Sequence, residues 1–257
     1  MSSRADDSEP RCGVAICHGF SGAPSSVLPW AQGLAAHGFD VEVPLLPGHG
    51  TTWRDLESRR WREWAECFEE ACARVAARND LLFVAGLSMG GALALRTATR
   101  LDVAGIAVVN PGLGFYDWRV RYLGAIRLVR RTTAPIDEPA APDPVGDEGD
   151  YSVTPLAAVH ELRLLFREVE RSLRRVTAPL IAFKSDVDPV VPPSSIRHIL
   201  RKVASRELDF VPLHASPHVA TRDVEAPLIV ARTAEFFARC ASGPETRTAG
   251  TRSGHNA

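Results

Sequence analysis

Strand-like and helical runs alternate from residue 13 to residue 240, and that alternation predicts an α/β fold. The expected sheet is mostly parallel, six-stranded or slightly larger, with helices on both faces. A second observation is the turn Gly86-Leu87-Ser88-Met89-Gly90, which joins the apolar run Asp80–Ala85 to the helix-forming run Gly91–Ala98. A third is length: 257 residues suffice for one well-buried domain and are short for two equal ones.

Taken in order, the expected strands are Gly13–Cys17, Asp40–Val43, Leu81–Ala85, Val103–Val109, Leu180–Lys184 and Glu207–Pro212. Each is a short apolar or β-branched run bounded by turn residues. Amphipathic stretches at Ser26–His37, Trp61–Ala77, Gly90–Arg100, Pro155–Arg175, Pro193–Val203 and Glu225–Cys240 supply the helices. Right-handed crossovers then set the hand of each unit. Residues 112–155 break the pattern: Trp118–Arg130 has helical character, but Ala134–Gly149 is rich in Pro, Asp, Glu and Gly. The reading is a core of 12–111 and 156–241 with 112–155 as a cap inserted after a strand's carboxyl end, over the ligand crevice. The polar tails 1–11 and 242–257 are expected to be disordered.

Composition excludes several function classes. Hydrophobic residues make up 45% and charged residues 24%, with a formal net charge of −1, so nothing argues for a nucleic-acid or anionic-membrane partner. Cys12, Cys17, Cys67, Cys72 and Cys240 lack metal-ligand or redox spacing and read as thiols in a reducing, cytoplasmic setting. The polar start shows no signal-peptide pattern, and no apolar run approaches the length of a membrane span. No metal and no cofactor is expected. Oligomeric state is not legible.

A serine on a strand-to-helix turn, with glycine two residues to either side, reads as a nucleophile elbow. Larger residues at Gly86 and Gly90 would clash in so tight a turn, and the helix N-terminus favours developing negative charge at Ser88. A serine hydroxyl needs a base and a carboxylate to orient that base. The acid falls in the loop Ser185-Asp186-Val187-Asp188 after the fifth strand: Asp188, at the loop apex just before Pro189-Val190-Val191-Pro192, is the expected acid, and Asp186, which could instead hold the loop by an Asx-type turn, is the alternative. After the last strand come His214 and His218; His218 opens the approach to the final helix and is the expected base. His37, His160, His198 and His255 read as solvated. Two N–H donors are needed for an oxyanion: that of Met89 and, from the loop His18–Gly22 after the first strand, that of Phe20. His18 reads as a brace of that loop.

With these residues in place, the chain resembles the α/β-hydrolase superfamily, and within it the small bacterial carboxylesterase and monoacylglycerol lipase group. The matching text is H-G-F-S-G-A-P at 18–24, L-P-G-H-G-T at 46–51, G-L-S-M-G-G at 86–91, S-D-V-D-P-V-V-P-P at 185–193 and H-V-A-T at 218–221. The resemblance implies a minimal α/β-hydrolase fold with Ser88 as nucleophile, Asp188 as acid, His218 as base, and Phe20 and Met89 as oxyanion donors. It implies a structural His49. It also places Glu148, three residues before the Tyr-x-x-Thr-Pro segment that starts at Tyr151, at the alcohol end of the substrate.

The implied activity is ester hydrolysis through an acyl-enzyme, with a monoacylglycerol as substrate. A general short-chain carboxylesterase is the alternative, and a non-catalytic binding protein of the same fold is a remote one. Leu113, Phe115, Trp118, Val120, Tyr122, Leu123, Ile126 and Leu128 either wall an acyl tunnel or pack the cap on the sheet. If His218 is the base, activity should fall as pH drops through about 6.5, the ordinary histidine range.

Overall fold

The computed structural model describes residues 9–135 and 152–243. In chain order the elements are β1 (Cys12–Cys17), α1 (Leu28–Ala36), β2 (Asp40–Glu42), α2 (Trp53–Ser58), α3 (Trp61–Arg78), β3 (Leu81–Leu87) and α4 (Met89–Thr97). They continue with β4 (Gly105–Val109), α5 (Leu123–Val129), β5 (Thr132–Thr133), β6 (Thr154–Pro155) and α6 (Leu156–Ser172). β7 (Leu180–Ser185), α7 (Pro193–Lys202), β8 (Leu208–Leu213) and α8 (Ala226–Ala241) complete the chain. The main sheet has six strands in the order β2-β1-β3-β4-β7-β8, and every neighbouring pair is parallel. This is the predicted α/β class, with its six expected strands all present.

Alternation along the buried strands builds two hydrophobic layers. Val14, Ile16, Phe83, Ala85 and Leu87 face α1 and α8, where Trp30, Leu34, Phe236 and Phe237 are fully buried. Phe83 and Phe237 stack with ring centroids 4.4 Å apart. Ala15, Cys17, Leu82 and Val84 face the opposite way, toward Trp64 and Phe68 of α3, Leu93 and Leu95 of α4, and Leu165 and Val169 of α6. Burial of each large side chain contributes about 2 kcal/mol, so the two layers dominate the stability of the fold.

Differences from the sequence expectation are local. β4 starts at Gly105, not Val103, although the Ala104 N–H already donates to the Leu82 carbonyl at 2.7 Å. The first expected helix opens with a 3-10 turn at Pro24–Val27 before α1 begins. α2 was not anticipated; it is started by Thr52, whose side chain accepts the Asp55 N–H. The short antiparallel pair β5–β6 was not anticipated either. His160 and His198 are half-buried, not solvated, because α6 and α7 turn them toward neighbouring elements; His198 lies 3.3 Å from Glu170. His37 is exposed and His255 lies outside the described residues. All five cysteines are free thiols, with Cys17 and Cys72 buried.

The order of strands fixes where a site forms. β1 lies between β2 and β3, so the chain leaves β1 toward one edge and later proceeds from β3 toward the other. Crossovers diverge at that point and leave a crevice outside the carboxyl ends of β1 and β3. The loop His18–Gly22 and Ser88 follow those two ends.

Candidate active site

Ser88 sits between β3 and α4 with φ 55° and ψ −115°, a backbone conformation that non-glycine residues rarely adopt. Such a conformation costs on the order of 1–3 kcal/mol and persists only where its surroundings hold it. Here the Ser88 N–H donates to the Val109 carbonyl at 2.9 Å, and the Ser88 carbonyl accepts from Ala92 and Gly112. The flanking glycines are obligatory. A Cβ on Gly86 would lie 2.2 Å from the Gly90 carbonyl, and one on Gly90 would lie 2.1 Å from the Cys17 carbonyl oxygen.

The turn is packed against β1 as well as against its own helix. A Cβ on Gly19 would stand 3.6 Å from the Ser88 Cβ, so the loop after β1 runs beside the serine. The Phe20 and Met89 N–H groups have no partner among the described residues. Phe20 is anchored by edge-on contacts with Trp64 at 6.0 Å and His49 at 6.3 Å.

His18 braces the loop, as its position after β1 suggests. Its Nε2 accepts the Leu46 N–H at 3.2 Å, so Nδ1 carries the proton and donates to the Gly19 carbonyl at 2.9 Å. Complete burial pushes the His18 pKa down to about 4. His49 is held well below the usual histidine range, first by burial and then by His18 beside it. Both are therefore neutral structural groups.

The loop after β7 and the loop after β8 present two aspartates and two histidines, which the structure sorts into two pairs. Asp188 Oδ1 lies 3.0 Å from His218 Nδ1, and both side chains are buried. The contact is close but bent at the ring N–H, as in many ligand-free sites whose bonds straighten only around a reacting substrate. Asp186 instead pairs with His214 at 2.6 Å on the surface. Asp186 therefore holds its loop through His214 and not through a turn of its own.

Asp188 is supported on every side. Its Oδ1 accepts the N–H groups of Val190 at 2.8 Å and Val191 at 3.1 Å, and its Oδ2 accepts from the Lys184 ammonium. Burial works to raise its pKa. The hydrogen bond and charge of His218, the Lys184 ammonium and the Val191 N–H outweigh it, and Asp188 is held at about 2.

Three supporting residues were missed in the sequence. Asn110, just past β4 with φ 45°, donates from Nδ2 to the His218 carbonyl at 2.8 Å, while its Oδ1 accepts the Ser185 N–H at 2.8 Å. One buried side chain thus ties the ends of β4 and β7 to the His218 loop. Its signal was a polar residue, tolerant of positive φ, at the end of an apolar strand. Glu225 accepts the N–H groups of His214, Ala215 and Ser216, shaping the turn that leads to His218. Lys184 showed no signal beyond a charge inside an otherwise apolar strand.

The segment after β4 is fastened to the same loops. The Leu113 N–H donates to Ser195 Oγ, and the Tyr116 hydroxyl donates to the Asp188 carbonyl at 3.1 Å. Leu123 is buried; Leu113, Phe115, Val120 and Ile126 pack partly buried on the α6 side, whereas Trp118 and Tyr122 are exposed. Glu148 and Tyr151 lie outside the described residues. Among the described residues no cluster of His, Cys, Asp or Glu is arranged to hold a metal ion, and no helix is long and apolar enough to cross a membrane.

The model of the alpha/beta hydrolase family matches residues 14–235. The chain belongs to that family. This α/β hydrolase is 36% identical over 228 residues to a thermostable monoacylglycerol lipase from Bacillus sp. strain H-257, covering 88% of this chain and 90% of that protein. A structure from work on the metagenome-derived lipolytic enzymes LipS and LipT is 33% identical, with a TM-score of 0.82 over 89% of this chain and 94% of the other. A monoacylglycerol lipase from Paleococcus ferrophilus shares the fold at 14% identity and a TM-score of 0.73, over 89% of this chain and 94% of its own. With lipolytic relatives at these identities over most of its length, this α/β hydrolase is a carboxylic ester hydrolase.

Proposed function

We propose that the protein is a serine esterase that cleaves monoacylglycerols through an acyl-enzyme on Ser88. The observation that carries the chemistry is the buried Asp188–His218 contact at the same end of the sheet as the strained serine turn. In the proposed reaction Ser88 Oγ attacks the ester carbonyl carbon as His218 Nε2 takes its proton. Asp188 keeps the proton of His218 on Nδ1 and stabilises the imidazolium that forms. The oxyanion is met by the Phe20 and Met89 N–H groups, backbone donors that need little reorientation to stabilise it. The carbon–oxygen bond to the alcohol then breaks, and the departing oxygen takes the proton from His218. Water repeats the sequence on the acyl-enzyme, releasing the fatty acid and restoring Ser88.

The choice of substrate is supported by the 36% identity to the Bacillus monoacylglycerol lipase, which spans nearly the whole of both chains. It is also supported by the segment after β4, whose partly buried Leu113 and Phe115 pack against the core while the neighbouring Tyr116 hydroxyl reaches the Asp188 carbonyl. We assign residues 112–155, of which 136–151 lie outside the described residues, to a cap over the crevice.

The test compares initial rates on medium- and long-chain 1-monoacylglycerols, the matching triacylglycerols and p-nitrophenyl butyrate, with Ser88→Ala as blank. High turnover of monoacylglycerols with little of triacylglycerols supports the assignment. Preference for the butyrate ester makes the protein a general carboxylesterase. Failure of a fluorophosphonate to label Ser88 overturns the covalent mechanism itself.

A further inference from the structure

Lys184 is the last but one residue of β7, and its side chain is only 5% exposed. Burying a flexible ammonium is costly, and an apolar residue of similar length would fill the space with less penalty. The site nevertheless uses all three of its protons. Nζ donates to Asp188 Oδ2, to the Val191 carbonyl at 3.0 Å and to Asn110 Oδ1 at 3.4 Å. The carboxylate of Asp188 is thereby divided: Oδ1 faces His218, and Oδ2 is held by a cation.

From this division we infer that Lys184 is a positioning residue that orients Asp188 and partly neutralises its charge, keeping His218 unprotonated to lower pH than an unscreened aspartate would allow. A bare carboxylate beside an imidazole favours the imidazolium, which cannot accept a proton from Ser88. A cation behind the carboxylate opposes that effect while leaving the carboxylate able to orient the ring. Burial draws the Lys184 pKa downward, against the attraction of Asp188 and, more weakly, Asp186.

Other charges near His218 do not duplicate this role. β7 contributes Lys184, the loop after it contributes Asp188 and the exposed Asp186, and the loop after β8 contributes His214 and Glu225. Asp186 and His214 pair with each other at the surface, and Glu225 spends its oxygens on backbone N–H groups. The turn after β4 supplies neutral Asn110 and the turn after β3 supplies neutral Ser88. Lys184 is the cation that touches Asp188.

The inference rests on the serine-esterase reading, and its test separates the two. The His218 imidazole is titrated by NMR, without substrate, in the wild type, Lys184→Met and Lys184→Gln. The acidic limb of kcat/KM is measured in parallel. Loss of the cation should raise the His218 midpoint and the acidic limb together by about one pH unit, with KM little changed. Lys184→Gln, which keeps a donor but no charge, should shift them as far as Lys184→Met.

A purely structural lysine would lower activity equally at every pH and leave both midpoints in place; that result in a folded variant overturns the inference. Should neither variant fold, the wild type decides. Its Lys184 ammonium must be seen protonated by lysine 15N NMR between about pH 6 and pH 9, and a neutral amine there overturns the screen. If the wild type hydrolyses no ester, the functional reading falls while the imidazole titration still judges Lys184.

Discussion

Two aspartate–histidine pairs bridge the same two loops, and they differ in almost everything except chemistry. Asp186 and His214 meet at 2.6 Å with side chains 59% and 72% exposed. Asp188 and His218 meet at 3.0 Å with side chains 0% and 8% exposed. Distance alone would favour the exposed pair over the one proposed for catalysis. Burial strengthens an electrostatic contact and holds its geometry, whereas water and ions screen an exposed one to little net value. The inner aspartate also collects two backbone N–H groups and an ammonium, while the inner histidine follows a turn held by Glu225 and Asn110. A usable charge pair is made by its supports as much as by its members.

The largest test of this contrast falls on the inner pair. Asp188→Asn should lower kcat by about 10⁴-fold with the fold intact, because the neutral amide favours the wrong imidazole tautomer. Steady-state rates read beside circular dichroism check it. A drop confined to Asp186→Asn would reverse the assignment of the acid.

Buried and exposed histidines should also differ in how they couple acid to stability. His18 has a folded pKa of about 4, below the ordinary histidine value near 6.5, so the unfolded chain binds its proton more readily. Its contribution is therefore complete above about pH 6.5 and is lost progressively as pH falls toward 4, amounting to about 3 kcal/mol. His49 acts in the same direction. Asp188, depressed to about 2, adds a loss only below about pH 4, as pH falls toward its folded value. Urea midpoints measured between pH 7 and pH 4 should show the histidine slope.

Smaller effects probe the supports and the surface. Glu225→Gln keeps the size of the side chain but weakens its hold on three N–H groups, and should lower kcat roughly tenfold with KM little altered. Asp186→Asn and His214→Gln should each change kcat/KM by no more than about twofold. A larger loss from either would mean that the outer pair positions His218, and the contrast between the two pairs would narrow.

Much of this architecture was legible from local pattern. The six strands, the glycine-flanked Ser88 and the bracing role of His18 each follow from a short stretch of residues. Gly86 and Gly90 show why: a steric requirement within a few residues leaves a mark in the sequence. Asn110 left little mark because its partners lie across strand ends brought together only by folding, and Lys184 and Glu225 left little because their nearer partners sit in irregular loops that carry no periodic pattern. Asn110 and Ser185 are 75 positions apart, and Asn110 and His218 are 108.

Loop position and the family resemblance both favoured Asp188 over Asp186 as the acid, and the tertiary structure showed how the surroundings of the two differ. Periodicity is a property of neighbours along the chain, so the sequence by itself determined the α/β class, the serine turn and the two loops that carry aspartate and histidine. Burial and dielectric are properties of neighbours in space. Tertiary structure therefore decided which aspartate meets His218 in the interior, which is left to the surface, and that a buried lysine stands behind the inner one.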